Sequence, residues 1–318
     1  MRTTKIKQPL VYVIILSFNG KDNLEMCIPS VMSTDYSNLK VVVVDNASKD
    51  GSADFAETFA GVKVVRNKKN RYWGPANNQG IKIALADKAD YIVLLNDDVV
   101  VDKRWIKEAV NVCEKDPLIG FIEFDLMNPV TYGDMGEFKR RSKNFKNTLI
   151  KPIKNVTGCS LFSTASLYKN IGLIDEGFPL YMEETDLARR AKKAGYKLML
   201  INVPVFHAGM KTSGKIKKKA ALFEMISLMR CVIKNDNIFE IIKMLLFIMN
   251  AAFNPVKKVK GDMFLERLRP MNPIFNIFIF IPAMLYDIIM LPEIMAAKYR
   301  DYKKIKNARK ALYKLKKQ

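Results

Sequence analysis

Apolar and polar positions fall in separate blocks through the first third of the chain. Residues 10–16, 39–44, 62–65 and 91–95 are strand-like runs, and the unbroken apolar run 91–95 predicts a strand covered on both faces. Between them, residues 23–32, 52–59 and 75–86 have helical length and pattern, and a further helix is expected near 103–114. Strands that alternate with helices predict βαβ units, a parallel sheet, and ligands at the carboxyl ends of the strands. The polar blocks sit at those ends: "SFNG" (17–20), "DNASKDGS" (45–52), "RNKKNRYWGPANNQG" (66–80) and "NDD" (96–98). Four polar loops on one sheet edge predict a site.

The stretch "YIVLLNDDVVVD" (91–102) poses the sharpest question, because Asp97 and Asp98 follow directly on a buried run. Adjacent carboxylates repel each other and lose hydration when buried. Two readings stand: a surface turn that caps the next helix, or a carboxylate pair that meets a divalent cation. Glu183 and Glu184 pose a similar choice. Residues 184–194 form a helical pattern with Leu187, Ala188 and Ala191 on one face and Gly195 as its end, so both glutamates fall where the helix dipole favours negative charge. Residues 137–155 read as a basic loop.

After residue 214 long apolar stretches appear, broken by single charges and flanked by lysines. Residues 273–292 have the length of a membrane span, yet Asn276, Pro282 and Asp287 interrupt them. A basic helix with a broad apolar face suits monotopic attachment better than crossing. The formal charge of +21 is concentrated here too, since residues 211–318 carry 23 Lys and Arg against 8 Asp and Glu, net +15. Such a surface attracts polyanions, with anionic lipid and nucleic acid as the two classes. Charge mixed among apolar stretches, with no recognised nucleic-acid motif, argues for lipid and against a specific nucleic-acid partner. Cys27, Cys113, Cys159 and Cys231 lie far apart and predict reduced, buried thiols rather than disulfides or a zinc site. Neither G-x-G-x-x-G nor a G-x-x-x-x-G-K-[ST] loop is present, so a glycine-rich nucleotide cradle is excluded.

Seven segments in order, "ILSFNG", "VVVVDNASKDGS", "RNKKNRYWGPANNQGIKIA", "LLNDDV", "TGCSLF", "GLIDEGFPLYMEETDLARR" and "PVFHAG", resemble the inverting family 2 glycosyltransferases of GT-A fold, in particular their rhamnosyltransferase-like branch. The resemblance covers about residues 9–230. It implies that "NDD" stands at the family's D-x-D motif, with Asn96 at the first acidic position and Asp98 at the last. Asp98 and His207, the only histidine, would then hold Mn2+ or Mg2+ against the donor's diphosphate. "MEETDLARR" resembles the family's E-D motif; Glu184 replaces the usual Asp of the catalytic base, Glu183 lies beside it, and Asp186 orients the helix or an acceptor. Ser17, Asn19, Asp45, Asn70, Asn78 and Asp97 take donor-binding positions, although Asn, Ser and Asp also dominate ordinary turns. Tyr72 and Ala76 depart from the pattern, standing where the family usually has Gly.

The expected fold is therefore α/β: a GT-A, Rossmann-like nucleotide-diphospho-sugar transferase domain over residues 1–214, then a basic, apolar helical region over 215–318. The expected function is sugar transfer from a UDP- or dTDP-sugar to a hydroxyl of a lipid-linked glycan, on the cytoplasmic side of the membrane. Three alternatives remain beside it: transfer to protein or soluble glycan with the C-terminal helices forming a homo-oligomer, a nucleic-acid-binding protein, and a non-catalytic homologue suggested by Asn96 and Glu184. Liposome flotation, salt-dependent nucleic-acid affinity and donor turnover discriminate among them.

Overall fold

A computed structural model of the chain describes residues 8–129, 133–209, 217–253 and 273–315. These fall into two compact units, one drawn from residues 1–174, 187–209 and 304–318, the other from 175–186 and 210–303. The expected boundary at residues 214 and 215 lies outside the described residues.

The first unit is built on a sheet of order β3-β2-β1-β4-β8-β6-β9-β5, with β7 paired to β9. Its first four strands are β1 (Val11–Ser17), β2 (Leu39–Asp45), β3 (Val62–Arg66) and β4 (Tyr91–Asn96), all mutually parallel. Helices α1 (Lys21–Met32), α2 (Ser52–Glu57) and α3 (Trp73–Ala86) connect them. The continuous apolar runs are explained by burial on both faces. Val11, Val13 and Ile15 join one core layer with Leu24 and Ile28 of α1, while Tyr12 and Ile14 join the other with Ala76, Ile81 and Ala84 of α3. Truncating a fully buried residue such as Ile14 to Ala costs about 2–5 kcal/mol in such a core.

The sheet is mixed rather than parallel, which corrects the expectation from the strand–helix alternation. β8 (Ser160–Thr164) runs antiparallel to both β4 and β6 (Ile119–Met127), and β5 (Val99–Val101) and β7 (Ile150–Pro152) run antiparallel to β9 (Lys197–His207). The βαβ rhythm ends at β4, because β5 follows it after only two residues and pairs with a strand from a hundred residues downstream.

Residues 137–155, expected as a loop, contain most of a helix, α5 (Met135–Asn144), followed by β7. The Asp134 side chain accepts from the Glu137 amide at 3.0 Å and caps α5. Glu137 in turn accepts from Arg140 and Arg141, each at 2.7 Å, and Phe138 packs with Met127 and Phe206. Charge pairing one turn apart thus stabilises a helix whose sequence carries little apolar signal. Helices α4 (Trp105–Lys115), α6 (Ala165–Ile171) and α7 (Glu183–Ala194) complete the series before β9. Gly195 ends α7 with φ +102°, as its position in the sequence suggested. The four cysteines are free and buried.

The second unit holds α8 (Lys217–Asn235), α9 (Ile238–Phe253), α10 (Pro273–Ile289) and the start of α11 (Leu291–Leu315). Its core gathers Met225, Ile226, Met229, Val232 and Ala283. Among the described residues no single helix is long and apolar enough to cross a membrane; residues 280–289 and α11 satisfy the length and composition only as a pair bent by 64°.

Candidate active site

Parallel pairing of β1 to β4 brings their carboxyl ends to one edge, and side-chain hydrogen bonds tie the four following loops together. Asn19 donates its amide to Ser48 Oγ at 2.9 Å and accepts from the Lys49 amide at 2.9 Å. The Gly20 amide donates to Ser52 Oγ at 3.1 Å, and the Lys21 amide to Asp50 Oδ2 at 3.0 Å. Since Gly20 has no side chain to cap α1, Asp50 supplies that service from the neighbouring loop. Burial tends to raise the Asp50 carboxyl, and donation from Lys21 and Ser52 reverses this and leaves it below its ordinary range.

Asn46 joins the second loop to the third. Its Nδ2 donates to Asn70 Oδ1 at 2.9 Å, and its Oδ1 accepts from the Arg71 amide at 2.9 Å and from Asn67 Nδ2 at 3.2 Å. Asn67 also exchanges hydrogen bonds with Gln79 in both directions at 2.9 Å. Asn46, Asn67 and Gln79 were not singled out from the sequence; an amide-rich run is ordinary loop composition until its partners are known. Asp45, buried at the end of β2, accepts from the Ser48 amide at 3.1 Å through Oδ2, while its buried Oδ1 has no hydrogen-bond partner.

In the fourth loop the two aspartates diverge. Asp97 Oδ2 accepts from Ser17 Oγ at 2.7 Å, and its Oδ1 accepts from Asn23 at 3.4 Å. Burial, with the neighbouring Asp98 charge, pushes the Asp97 carboxyl up to about 6 against the lowering effect of these donors. Asp98 instead approaches β9: its Oδ1 lies 3.1 Å from His207 Nε2, and its carbonyl accepts from the Ala208 amide at 2.9 Å. Val99 and His207 are register partners in the β5–β9 pair, so strand pairing fixes this approach.

Asn78 is buried, donates to the Ile174 carbonyl at 2.9 Å and accepts from the Ile174 amide at 3.1 Å, so its amide ties α3 to the chain after α6. Glu183 and Glu184 open α7 in the second unit. Glu183 is 2% exposed, its Oε1 has no hydrogen-bond partner, and burial followed by the Glu184 charge raises its carboxyl well above the usual range.

Tyr72, at the start of α3, has φ +63° and ψ −176°, a conformation that is nearly exclusive to glycine. This gives physical content to the departure noted in the sequence, where Tyr stands at a position the family usually fills with Gly.

Among the described residues no three His, Cys, Asp or Glu side chains gather to hold a metal. Asp98 and His207 alone offer a two-donor set. Their nitrogen and oxygen, 3.1 Å apart, are of the types that would hold a divalent ion, with the remaining ligands to come from a bound donor.

Comparison with known proteins places this arrangement in a family. The glycosyl transferase family 2 model matches residues 12–170, half of the chain, and the chain belongs to glycosyltransferase family 2. It is similar to an uncharacterized glycosyltransferase of Rickettsia typhi, 27% identical over 186 residues that make up 56% of this chain and 57% of the relative. It is also similar to the glycosyltransferase AglE of Haloferax volcanii, 24% identical over 225 residues, 66% of this chain and 70% of that one. The chain thus spans just over half the length of the Rickettsia typhi relative. Two solved structures share the fold. A mannosyltransferase of Pyrobaculum calidifontis, in complex with GDP-Man and Mn2+, aligns with TM-score 0.54 and 17% identity, covering 96% of this chain and 86% of its own. TarS of S. aureus, residues 1–349 in complex with UDP-GlcNAc, aligns with TM-score 0.56 and 14% identity, covering 96% and 92%. The fold is α/β and GT-A-like, with a mixed sheet.

Proposed function

We propose that the protein is an inverting glycosyltransferase of the rhamnosyltransferase-like branch, moving a sugar from a nucleotide diphosphate donor to a hydroxyl of a lipid-linked glycan. The observation that carries this reading is the linked set of strand-end loops that ends in the Asp98–His207 pair at 3.1 Å. In this reading Asp45, with its free buried Oδ1, receives a donor N–H or O–H from the nucleotide. Asn19 and Asn70 shape the loops around it, and Ser17 fixes Asp97 behind Asp98.

Asp98 and His207 would hold Mn2+ or Mg2+, with donor phosphate oxygens completing its coordination. When bound, the ion supplies Lewis-acid stabilisation of the departing diphosphate. Glu184, with Glu183 beside it, takes the proton of the acceptor hydroxyl as that oxygen attacks the anomeric carbon opposite the nucleotide, which inverts the centre.

Attachment to the cytoplasmic face of the membrane completes the reading. It is supported by exposed apolar side chains, Ile238, Phe239 and Leu246 on α9 and Ile288 and Ile289 on α10, in the part of the chain that also carries most of the positive charge. A panel of UDP-, dTDP- and GDP-sugars, assayed with Mn2+ or EDTA and with a lipid extract as acceptor source, tests the proposal. Metal-dependent release of one nucleoside diphosphate, abolished in Asp98→Ala, is expected. Turnover unaffected by EDTA and by Asp98→Ala would sink the metal assignment, and no turnover of any donor would sink the catalytic one.

A further inference from the structure

The second unit contains a buried ionic cluster that the proposed chemistry does not use. Lys234, near the end of α8, is 4% exposed and reaches Asp175 at 2.8 Å, Asp301 at 2.8 Å and Asp186 at 3.0 Å. Arg230, one turn earlier, reaches Asp175 at 3.0 Å and Glu293 at 2.6 Å. Burial would raise the Asp175 carboxyl, and the Lys234 and Arg230 charges overcome this and hold it well below its ordinary range. Buried ion pairs of this kind add little net stability over apolar packing, and their best-attested use is to fix one arrangement.

What they fix here is the segment that runs into α7. Asp186 is fully buried, and its two carboxylate oxygens meet two adjacent residues of α8: Lys234 at Oδ2, and Asn235 Nδ2, which donates to Oδ1 at 2.9 Å. Asn235 is itself oriented by the Cys231 carbonyl at 3.1 Å. Upstream, a β-carbon on Gly177 would fall 2.1 Å from the Arg230 guanidinium, so the chain lies directly on α8 there. The Leu180 amide donates to Ser227 Oγ at 3.5 Å, and Met182 packs against the Met225–Met229 core. Tyr181 and Met182 have φ +65° and +67°, a left-handed pair that side-chain-bearing residues rarely adopt in succession. The Asp186 amide donates to the Met182 carbonyl at 2.9 Å and closes the first turn of α7 directly over that pair. The strained pair and the doubly held aspartate thus flank Glu183, Glu184 and Thr185 on both sides.

We propose that Lys234 and Asn235 are positioning residues, which grip Asp186 and thereby set the geometry of the Glu183–Glu184 turn. The inference rests on the reading of that turn as the source of the catalytic base. The grip is expected to act on the chemical step and not on donor binding, because none of the residues assigned to the donor belongs to the Asp175–Asp186 segment or to α8.

The test uses the full chain. Asn235→Ala removes one donor to Asp186 without changing the cluster's charge, and Asp186→Asn keeps the shape while weakening the attraction to Lys234. Both are expected to lower kcat by roughly 10²-fold, the loss typical of a small misplacement of a reacting group. The KM for the donor and the Kd for its nucleoside diphosphate should stay within about threefold of wild type. Folded Asn235→Ala and Asp186→Asn with wild-type kcat would overturn the grip while leaving the base assignment standing, provided Glu183→Gln or Glu184→Gln abolishes turnover. Wild-type kcat in both glutamine variants would overturn the base assignment and the grip with it. Hydrogen exchange needs no turnover: in Asn235→Ala the Asp186 amide should exchange about tenfold faster than in wild type while α8 amides are unchanged. An unchanged Asp186 rate would overturn the grip.

Discussion

Gly20 lies against Asp97 so closely that a β-carbon added to it would fall 2.0 Å from the carboxylate's Oδ2. That oxygen is also held by Ser17 Oγ at 2.7 Å, so the glycine of "SFNG" seats the aspartate behind Asp98. Gly20→Ala must therefore push Asp97 out of its bond to Ser17. The expected cost is about 1–3 kcal/mol in urea unfolding, as for other overpacked sites. Donor turnover is expected to fall at least about tenfold, as Asp98 follows its neighbour. Wild-type turnover in a stable Gly20→Ala variant would separate Asp97 from the site.

Much of this arrangement is legible in the sequence, and the parts that are not have physical reasons. Strands β1, β2 and β4 carry apolar runs at Val11–Ile15, Val41–Val44 and Tyr91–Leu95 because both faces are covered there, β3 at the end of the strand order alternates Val with exposed Lys63 and Arg66, and β4 ends at Asn96 where the polar loop begins. The mixed sheet is hidden because β8 and β9 pair through contacts remote in sequence, such as Leu94 with Leu161 and Val99 with His207. Helix α5 is hidden because Phe138 is its one buried residue, and the rest of its support is the Glu137–Arg140–Arg141 pairing. Ser17 and Asp97 both fall at donor-binding positions of the resemblance, but their bond to each other joins residues 80 apart in the chain and leaves no local signal. Asn46 carried no signal at all; its importance as a link between loops comes from four partners, none within 20 residues.

Tyr72 offers a test of strain. Its φ of +63° with ψ of −176° costs a side-chain-bearing residue about 1–3 kcal/mol, which glycine avoids at some loss of unfolded-state restriction. Tyr72→Gly is expected to gain about 1 kcal/mol in the urea midpoint analysis. A ring 40% exposed beside the Asn46–Asn70 link is also well placed to contact a donor, so the same variant should raise the donor KM more than it lowers kcat. A Tyr72→Gly variant less stable than wild type would mean that the Tyr72 backbone carries too little strain to outweigh the freedom glycine adds to the unfolded chain.

Glu183 predicts how stability changes with pH. Its carboxyl is raised by burial and by the Glu184 charge, so the folded chain favours the neutral form. The stability of that neutral burial is fully present below the unfolded value, near pH 4. It is lost as pH rises through the raised folded value, because the unfolded chain ionises first and draws the equilibrium toward itself. Glu183→Gln mimics the neutral acid. The variant and the wild type should therefore have nearly equal Tm at pH 4, with the variant more stable by a margin that widens as pH rises above 5 and levels off once Glu183 ionises in the folded chain. A wild-type Tm that rises relative to the variant over that range would show that Glu183 is folded as the charged form.

The exposed apolar residues of the second unit give the membrane reading its own test. Phe239 is 77% exposed and Ile289 75%, values unusual for large apolar side chains that face water alone. They lie in the region that carries net +15 of the chain's +21, so apolar insertion and attraction to anionic headgroups are expected to act together. Flotation should carry the full chain with vesicles containing phosphatidylserine and leave more of it behind with neutral phosphatidylcholine or at high salt. Phe239→Ser with Ile289→Ser should weaken binding by about 3–6 kcal/mol if both side chains are fully buried in the interface, since each full burial is worth about 1.5–3 kcal/mol. The double variant should keep its Tm, because neither side chain belongs to the core. Undiminished flotation would move the contact elsewhere on the chain. Self-association of the wild type in the absence of lipid, lost in the double variant, would instead assign these residues to contacts between copies of the protein.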